Sequence, residues 1–502
     1  MRKLLVLAIG LSLLTGIFIF DTIRIRAEVT AAIDTSPVTS LLTVAQQQAD
    51  FDLMRAALEE AHGGIYRYSS KAQMDRGFAE QRAKLNRPMT KIEFRMLLSE
   101  TVALLRCGHT SVDADEQFSK AIKAIPMFPL RVRAEDDRLV VLFNDTADDQ
   151  TIRPGMAVLS INGHNVNDVL ARIWPLESAD GDIEVGKKMH IPGSFAMYYW
   201  ALVEKTDTFV IRAKDQSGRI VTATLAGVSR DDWAKNHNPV NAALLANFAK
   251  YNWGEGNLAL RFVDDPKIAE MRVRLFIGDD FPKWMADTFK TLRDKGTQSL
   301  IIDLRNNGGG EDAYGALLVS YLTDKPFRYF DHISMRTISP TFKEHIDWNP
   351  EADRILREGT TVDPAGGHLV TDGLHHQLAE QSPAAVPFLG PVFVLTDGGT
   401  FSTAADFCAI AHHLKRATFI GEETGGGYQG NNSGLEVSLK LPNSQFEVHL
   451  PMYEYWNAVS PDQFPRRGTI PDHRAEMKVA DLLDGRDTGL ELAERLAREN
   501  AK

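Results

Sequence analysis

The chain has 502 residues, 44% hydrophobic and 25% charged, too long for one ordinary domain and balanced like a globular protein with a sizeable core. Two or three domains are expected, and a disordered chain, a collagen and a multi-span membrane protein are excluded. Lys plus Arg is 56 against 67 for Asp plus Glu, a net charge of −11 with no long basic run, which argues against nucleic-acid partners.

Met1-Arg2-Lys3 is a short basic stretch before an apolar run over residues 4–20 that closes at Asp21. Residues 1–31 therefore read as a signal peptide, with Val29-Thr30-Ala31 the best small-residue cleavage match, or as an uncleaved N-terminal membrane anchor. Arg24 and Arg26 balance Arg2 and Lys3, so charge leaves the orientation open. Either way the bulk of the chain is expected to be exported, periplasmic or extracellular. Residues 32–48 are small and polar and read as a linker.

Residues 49–115 read as a helical region. Phe51, Met54, Leu58 and Ala61 recur at helical spacing up to Gly63-Gly64. Thr90 and Glu93 form a capping-box pattern ahead of Phe94, Leu97, Leu98, Thr101 and Leu105. That helix stops near Cys107-Gly108-His109, so its end delivers a histidine. Residues 116–230 read as a β-rich module, with a strand over 138–143, a hairpin signal at Asn162-Gly163, and a second hairpin around Gln216-Ser217-Gly218.

From residue 231 to 490 strands and helices alternate, which predicts an α/β core. The continuous apolar runs at 299–304, 391–396 and 417–420 suit a sheet covered on both faces, and residues 403–415 suit a helix between the last two runs. One strand runs into Arg305-Asn306-Asn307-Gly308-Gly309-Gly310, where glycines let the backbone approach closely and aim N–H groups. Another ends at Asp397-Gly398-Gly399-Thr400-Phe401-Ser402 and opens a helix, putting Ser402 where unpaired N–H groups favour developing negative charge. Taken alone, Ser402 reads more readily as a simple N-cap. Beside a glycine donor it has what acyl transfer needs.

Other motifs fail on context. Residues 425–430 fit G-x-G-x-x-G, but loop residues follow where a dinucleotide site needs a helix. His375-His376 and His412-His413 lack partners at metal spacing, so no metal and no cofactor is expected. G-x-S-x-G is absent, against an α/β-hydrolase.

The segment over residues 300–310 resembles the signature strand and turn of the tail-specific (C-terminal processing) and tricorn-core serine peptidases. Residues 399–407 are similar to that family's nucleophile segment, 420–427 to the turn after it, 467–472 to its late segment, and 154–163 to its PDZ-like module. Order and spacing match over residues 50 to 490. The resemblance implies a crotonase-like α/β protease core with a PDZ-like module and an N-terminal helical region, acting on polypeptide or peptide substrates through an acyl-serine. Ser402 is the implied nucleophile, and the oxyanion hole falls to the Thr403 N–H with that of Gly308 or Gly309. Tail-specific members place a lysine base where Gly427 stands here, whereas tricorn-type members take a histidine from the end of the helical region, which implies His109.

Tricorn-type sites also have a serine just before the histidine, where this chain has Gly108, and a late glutamate, for which Glu454 is the nearest candidate, with Glu422 and Asp462 competing. Tyr428, Gln429 and Asn431 are expected to line the substrate cleft. If Ser402 meets His109, Cys107 and Cys408 share one neighbourhood, and a disulfide between them is an expectation in an oxidising compartment. A catalytically inactive binding member of the same fold and an esterase are the competing functions. The sequence carries no signal of oligomeric state.

Overall fold

Ser299–Asp303, Val392–Thr396 and Thr418–Gly421 lie side by side in parallel, with Ile302 opposite Val394 and Val394 opposite Phe419. The computed structural model describes residues 33–233, 235–263 and 266–500. In it this sheet has six strands, in the order Leu258–Phe262, Ile268–Val273, Ser299–Asp303, Val392–Thr396, Thr418–Gly421, His473–Arg474. Only its first pair is antiparallel.

Three central strands are buried along their whole length: Ser299–Asp303 and Val392–Thr396 read as apolar runs for that reason, whereas Ile268–Val273 carries the buried Glu270 and Arg272. One face, with Leu300, Ile302, Val394 and Phe419, joins the main core. On the other, Ile301, Phe393, Leu395 and Ile420 are covered by the helix Thr488–Asn500 through Ala493 and Ala497. Full burial of each such branched side chain stabilises by about 1.5–3 kcal/mol. The architecture is mixed α/β.

The helices Val44–Ala61 and Lys91–Ala103 both start at capping boxes, Thr43 with Gln46 and Thr90 with Glu93. The expected linker is corrected. Ser36–Thr39 is helical, Leu41–Leu42 pairs with Met89–Thr90, and the fully buried Gln47 donates to the Leu42 carbonyl at 2.8 Å. Small polar residues here close caps and turns. The expected export segment lies outside the described residues, among which no helix is long and apolar enough to cross a membrane.

Leu130–Glu135, Arg138–Asn144, Ala157–Ile161, Thr208–Lys214 and Ile220–Ala226 form an antiparallel sheet in that order, and both expected hairpins are present. The segment also contains the helices Val166–Ile173 and Glu184–Leu202. The second was hidden in the sequence by Pro192 and Gly193, which read as breakers. It forms because Phe195 and Tyr199 pack into an aromatic cluster with Phe128 and Phe209, ring centroids 5.2–6.2 Å apart.

One short strand positions the site. Ser111–Asp113 pairs antiparallel with Glu447–Pro451, Ser111 opposite His449. This ties the end of the N-terminal helices to the C-terminal third of the chain, with His109 two residues before the junction.

Candidate active site

Ser402 sits between the turn after Val392–Thr396 and the helix Thr403–His413, with φ 52° and ψ −133°. A non-glycine residue in that region carries about 1–3 kcal/mol of strain, and such strain clusters at functional sites. The surrounding bonds hold it there. The Phe401 N–H donates to the Asn307 carbonyl at 2.9 Å, and the Thr400 hydroxyl to the Leu304 carbonyl at 2.9 Å. On the helix side, the Thr403 hydroxyl shares its one proton between the Gly310 carbonyl at 2.7 Å and Asp312 at 2.9 Å. Nine consecutive residues from Thr403 to Ala411 are buried, so this helix is an interior element.

The glycine turn lies against the serine. A Cβ on Gly309, whose φ is +103°, would stand 2.6 Å from Ser402 Cβ and 3.0 Å from the Thr403 nitrogen, so only glycine fits. The Gly309 N–H is already committed, donating to Asn307 Oδ1 at 2.9 Å. The Gly308 and Thr403 N–H groups have no acceptor among the described residues. Behind the turn, Arg305 bonds Asp303 at 2.9 Å and Asp487 at 2.8 Å, and Arg272 bonds Asp303 at 2.6 Å. Burial alone would raise Asp303, but the Arg305 and Arg272 guanidiniums hold its carboxyl well below the usual range.

His109 stacks on Phe401, the residue before Ser402, with ring centroids 4.4 Å apart and planes 28° apart. Gly108 permits the contact, because a Cβ there would stand 2.7 Å from the Phe401 ring. That accounts for glycine where the resemblance led us to expect serine. Among the described residues no hydrogen bond joins Ser402 Oγ to His109.

The carboxylate beside His109 is Asp180, which sequence reasoning missed. The Asp180 side chain is 1% exposed, and its Oδ1 accepts the Gly108 N–H at 2.7 Å. The same loop reaches back again, the Ser178 hydroxyl donating to the Cys107 carbonyl at 2.9 Å and the Gly181 N–H to the Arg106 carbonyl at 3.0 Å. Asp180 Oδ2 and His109 Nδ1 are both buried without a hydrogen-bond partner. The Cys107 sulfur, one ring nitrogen of His109 and one oxygen of Asp180 lie within 4.8 Å of one another. Burial lowers the imidazole to about 4. Burial raises the Asp180 carboxyl to about 6, opposed by the Gly108 N–H and Arg67.

Other expected residues lie elsewhere. Glu454 accepts from Ser334 Oγ at 3.1 Å and stands 3.7 Å from the Arg67 guanidinium, with no bond to His109. Asp462 is exposed, and partly buried Glu422 follows the strand Thr418–Gly421. Tyr428 and Asn431 are buried rather than cleft-lining: the Tyr428 hydroxyl meets His412 Nδ1 at 3.0 Å, and Asn431 donates to Asp406 at 3.0 Å. The Gln429 amide donates to the Pro461 carbonyl. Closing this loop onto the core uses these polar side chains for structure. The expected disulfide is also corrected, since Cys107 and Cys408 are both buried free thiols. The Cys107 thiol turns to the Asn432 carbonyl at 3.5 Å.

Residues 267–475, which carry the glycine turn, Ser402 and the central sheet, match the family model of peptidase family S41. Over this segment the chain is similar to peptidase family S41. An uncharacterized protein of Chlamydia muridarum (strain MoPn / Nigg) is 28% identical over 184 residues, and the chain spans about 30% of the length of that curated relative. The fold superposes on mature CPAF with a TM-score of 0.59 at 16% identity, covering 91% of this chain and 97% of the other. On mature CPAF complexed with lactacystin the TM-score is also 0.59 at 16% identity, over 91% and 98% of the two chains. At that identity the shared property is the fold, which therefore extends well beyond the S41 segment. The S41 match itself supports a serine-type peptidase.

Proposed function

We propose that the chain is an exported serine peptidase that hydrolyses peptide bonds through an acyl-serine on Ser402, with His109 as base. The observation that carries this reading is the His109–Phe401 stack, which brings an imidazole from the N-terminal region to the residue preceding a strained serine in an S41 segment.

Burial disfavours the charged imidazole, so at neutral pH His109 is ready to accept the Ser402 proton as Oγ attacks the scissile carbonyl carbon. The Thr403 and Gly308 N–H groups receive the oxyanion, each worth about 3 kcal/mol in the transition state. Gly309 then serves by close approach rather than as a donor. The imidazolium protonates the leaving amine, and water activated by the same ring releases the acyl group. Asp180 orients the ring and stabilises its charged form. The antiparallel sheet over residues 130–226 with the helix Val166–Ile173 supports the PDZ-like reading of that module, and residues 1–31 support export.

The missing Ser402–His109 hydrogen bond favours a second reading, a ligand-binding member of the fold without turnover. Hydrolysis of a denatured protein pool by the wild type but not by Ser402→Ala supports the peptidase, and equal hydrolysis by both removes Ser402 from the mechanism. Turnover of esters with none of peptides would replace peptidase by esterase.

A further inference from the structure

Three different metal-binding donors meet behind the catalytic ring: the Cys107 sulfur, a nitrogen of His109 and an oxygen of Asp180, all within 4.8 Å of one another. Two of the three residues carry a buried polar atom with nothing to bond, His109 Nδ1 and Asp180 Oδ2. Buried polar atoms in a native fold nearly always have a partner, and an exception calls for an ion, a water or a chemical role. Asp180 is a costly case, since its carboxylate is 1% exposed, is approached by the backbone N–H groups of Gly108, at 2.7 Å, and Gly427, and still leaves Oδ2 unpaired.

We propose that Cys107, His109 and Asp180 form an inhibitory zinc site that switches the peptidase off by taking its base. A thiolate, an imidazole and a carboxylate are the ligand types that zinc combines, and three protein ligands leave a fourth position for water. Zinc bonds of about 2.0–2.3 Å set donors about 3.5 Å apart in a tetrahedron, a span that side-chain rotation reaches from the present one. The Cys107 thiol gives up its proton to solvent as the sulfur–zinc bond forms, releasing its contact with the Asn432 carbonyl. Coordination through His109 Nδ1 keeps the ring's remaining proton on Nε2. An imidazole so held has no lone pair with which to accept the Ser402 proton. Access runs past His109, the one member of the trio that is not fully buried.

The inhibitory effect rests on the proposed catalytic role of His109, whereas the metal site itself does not, so binding and activity are read separately. The metal-free full chain is titrated with Co2+ and then with Zn2+, following the thiolate-to-cobalt charge-transfer absorption. The expected result is one Co2+ per chain, displaced by Zn2+, with a thiolate band lost in Cys107→Ala and retained in Cys408→Ala and Ser402→Ala. Asp180→Asn keeps the band but weakens binding more than about 10-fold, at least the effect of losing an outer partner of a metal ligand. Because Cys107→Ala opens a space in the core, circular dichroism checks its fold, and Asp180→Asn carries the test should it unfold. In the wild type, Zn2+ at the concentrations that fill the site abolishes peptide hydrolysis, and a chelator restores it. Absence of the band in the wild type, or its survival in Cys107→Ala, overturns the site. Full hydrolysis by zinc-loaded protein overturns its inhibitory role. A chain that binds Co2+ as described but never cleaves peptides keeps the metal site and refutes the proposed peptidase.

Discussion

His109 and Phe401 lie face to face, ring centroids 4.4 Å apart and planes 28° apart, although one follows the N-terminal helices and the other precedes Ser402 and the helix Thr403–His413. Two features make the stack. The strand pairing of Ser111–Asp113 with Glu447–Pro451 brings the histidine to the core, and Gly108 leaves room for the phenyl ring. The proposed base is thus placed by packing against the residue beside the proposed nucleophile.

Phe401→Leu keeps apolar volume but removes the ring face. An aromatic pair contributes about 0.5–1.5 kcal/mol beyond its area, so kcat/KM should fall about 2- to 10-fold, carried mainly by kcat. Steady-state kinetics on a peptide substrate reads this, and an unchanged kcat would show that the stack does not position His109.

Gly108→Ser restores the residue expected just before the histidine in tricorn-type sites. Its Cβ would stand 2.7 Å from the Phe401 ring, so the substitution should destabilise by about 1–3 kcal/mol and reduce activity. Thermal unfolding together with kcat/KM checks both, and a rise in activity would contradict the geometry.

What the sequence revealed and what it hid divide along physical lines. The runs at 299–304, 391–396 and 417–420 were legible because strands buried on both faces are apolar throughout. The glycine turn and Ser402 were legible because they are local, a strand end followed by residues that only special backbone needs explain. Asp180 was not, because nothing near it in sequence marks it; its place beside His109 comes from a loop folding back onto Gly108. Tyr428 and Asn431 misled for the converse reason, since polar residues beside a glycine-rich turn look like a cleft and here bond His412 and Asp406.

Burial sets the pH response. The working form needs neutral His109, lowered to about 4, and ionised Asp180, raised to about 6, so kcat/KM should rise with pH through about 6 and then level. For stability the signs oppose. His109 loses its contribution as pH falls from 6.5 toward about 4, while Asp180 loses its contribution as pH rises from 3.8 through about 6. Asp180→Asn should therefore be more stable above that range by about 2–3 kcal/mol, yet have kcat lowered at least about 10-fold, up to the ~10⁴ seen when a triad acid is made an amide. Its acid limb should move down toward about 4. Denaturant melts at two pH values and a pH–rate profile test the pair, and an unshifted limb would exclude Asp180 from the mechanism.

The ion network under the glycine turn should be a stability element. Asp303→Asn leaves Arg272 and Arg305 buried without their shared carboxylate, which should cost about 3–5 kcal/mol. A loss below 1 kcal/mol in denaturant unfolding would mean that the network behaves like a surface pair.

The central claim is that Ser402 is a nucleophile activated by His109, and intact-mass analysis after reaction with a fluorophosphonate tests it most directly. The account predicts one adduct per chain, mapped to Ser402, absent in Ser402→Ala and formed about 10²- to 10⁴-fold more slowly in His109→Ala. An adduct that persists in Ser402→Ala, or forms at an undiminished rate without His109, would contradict it.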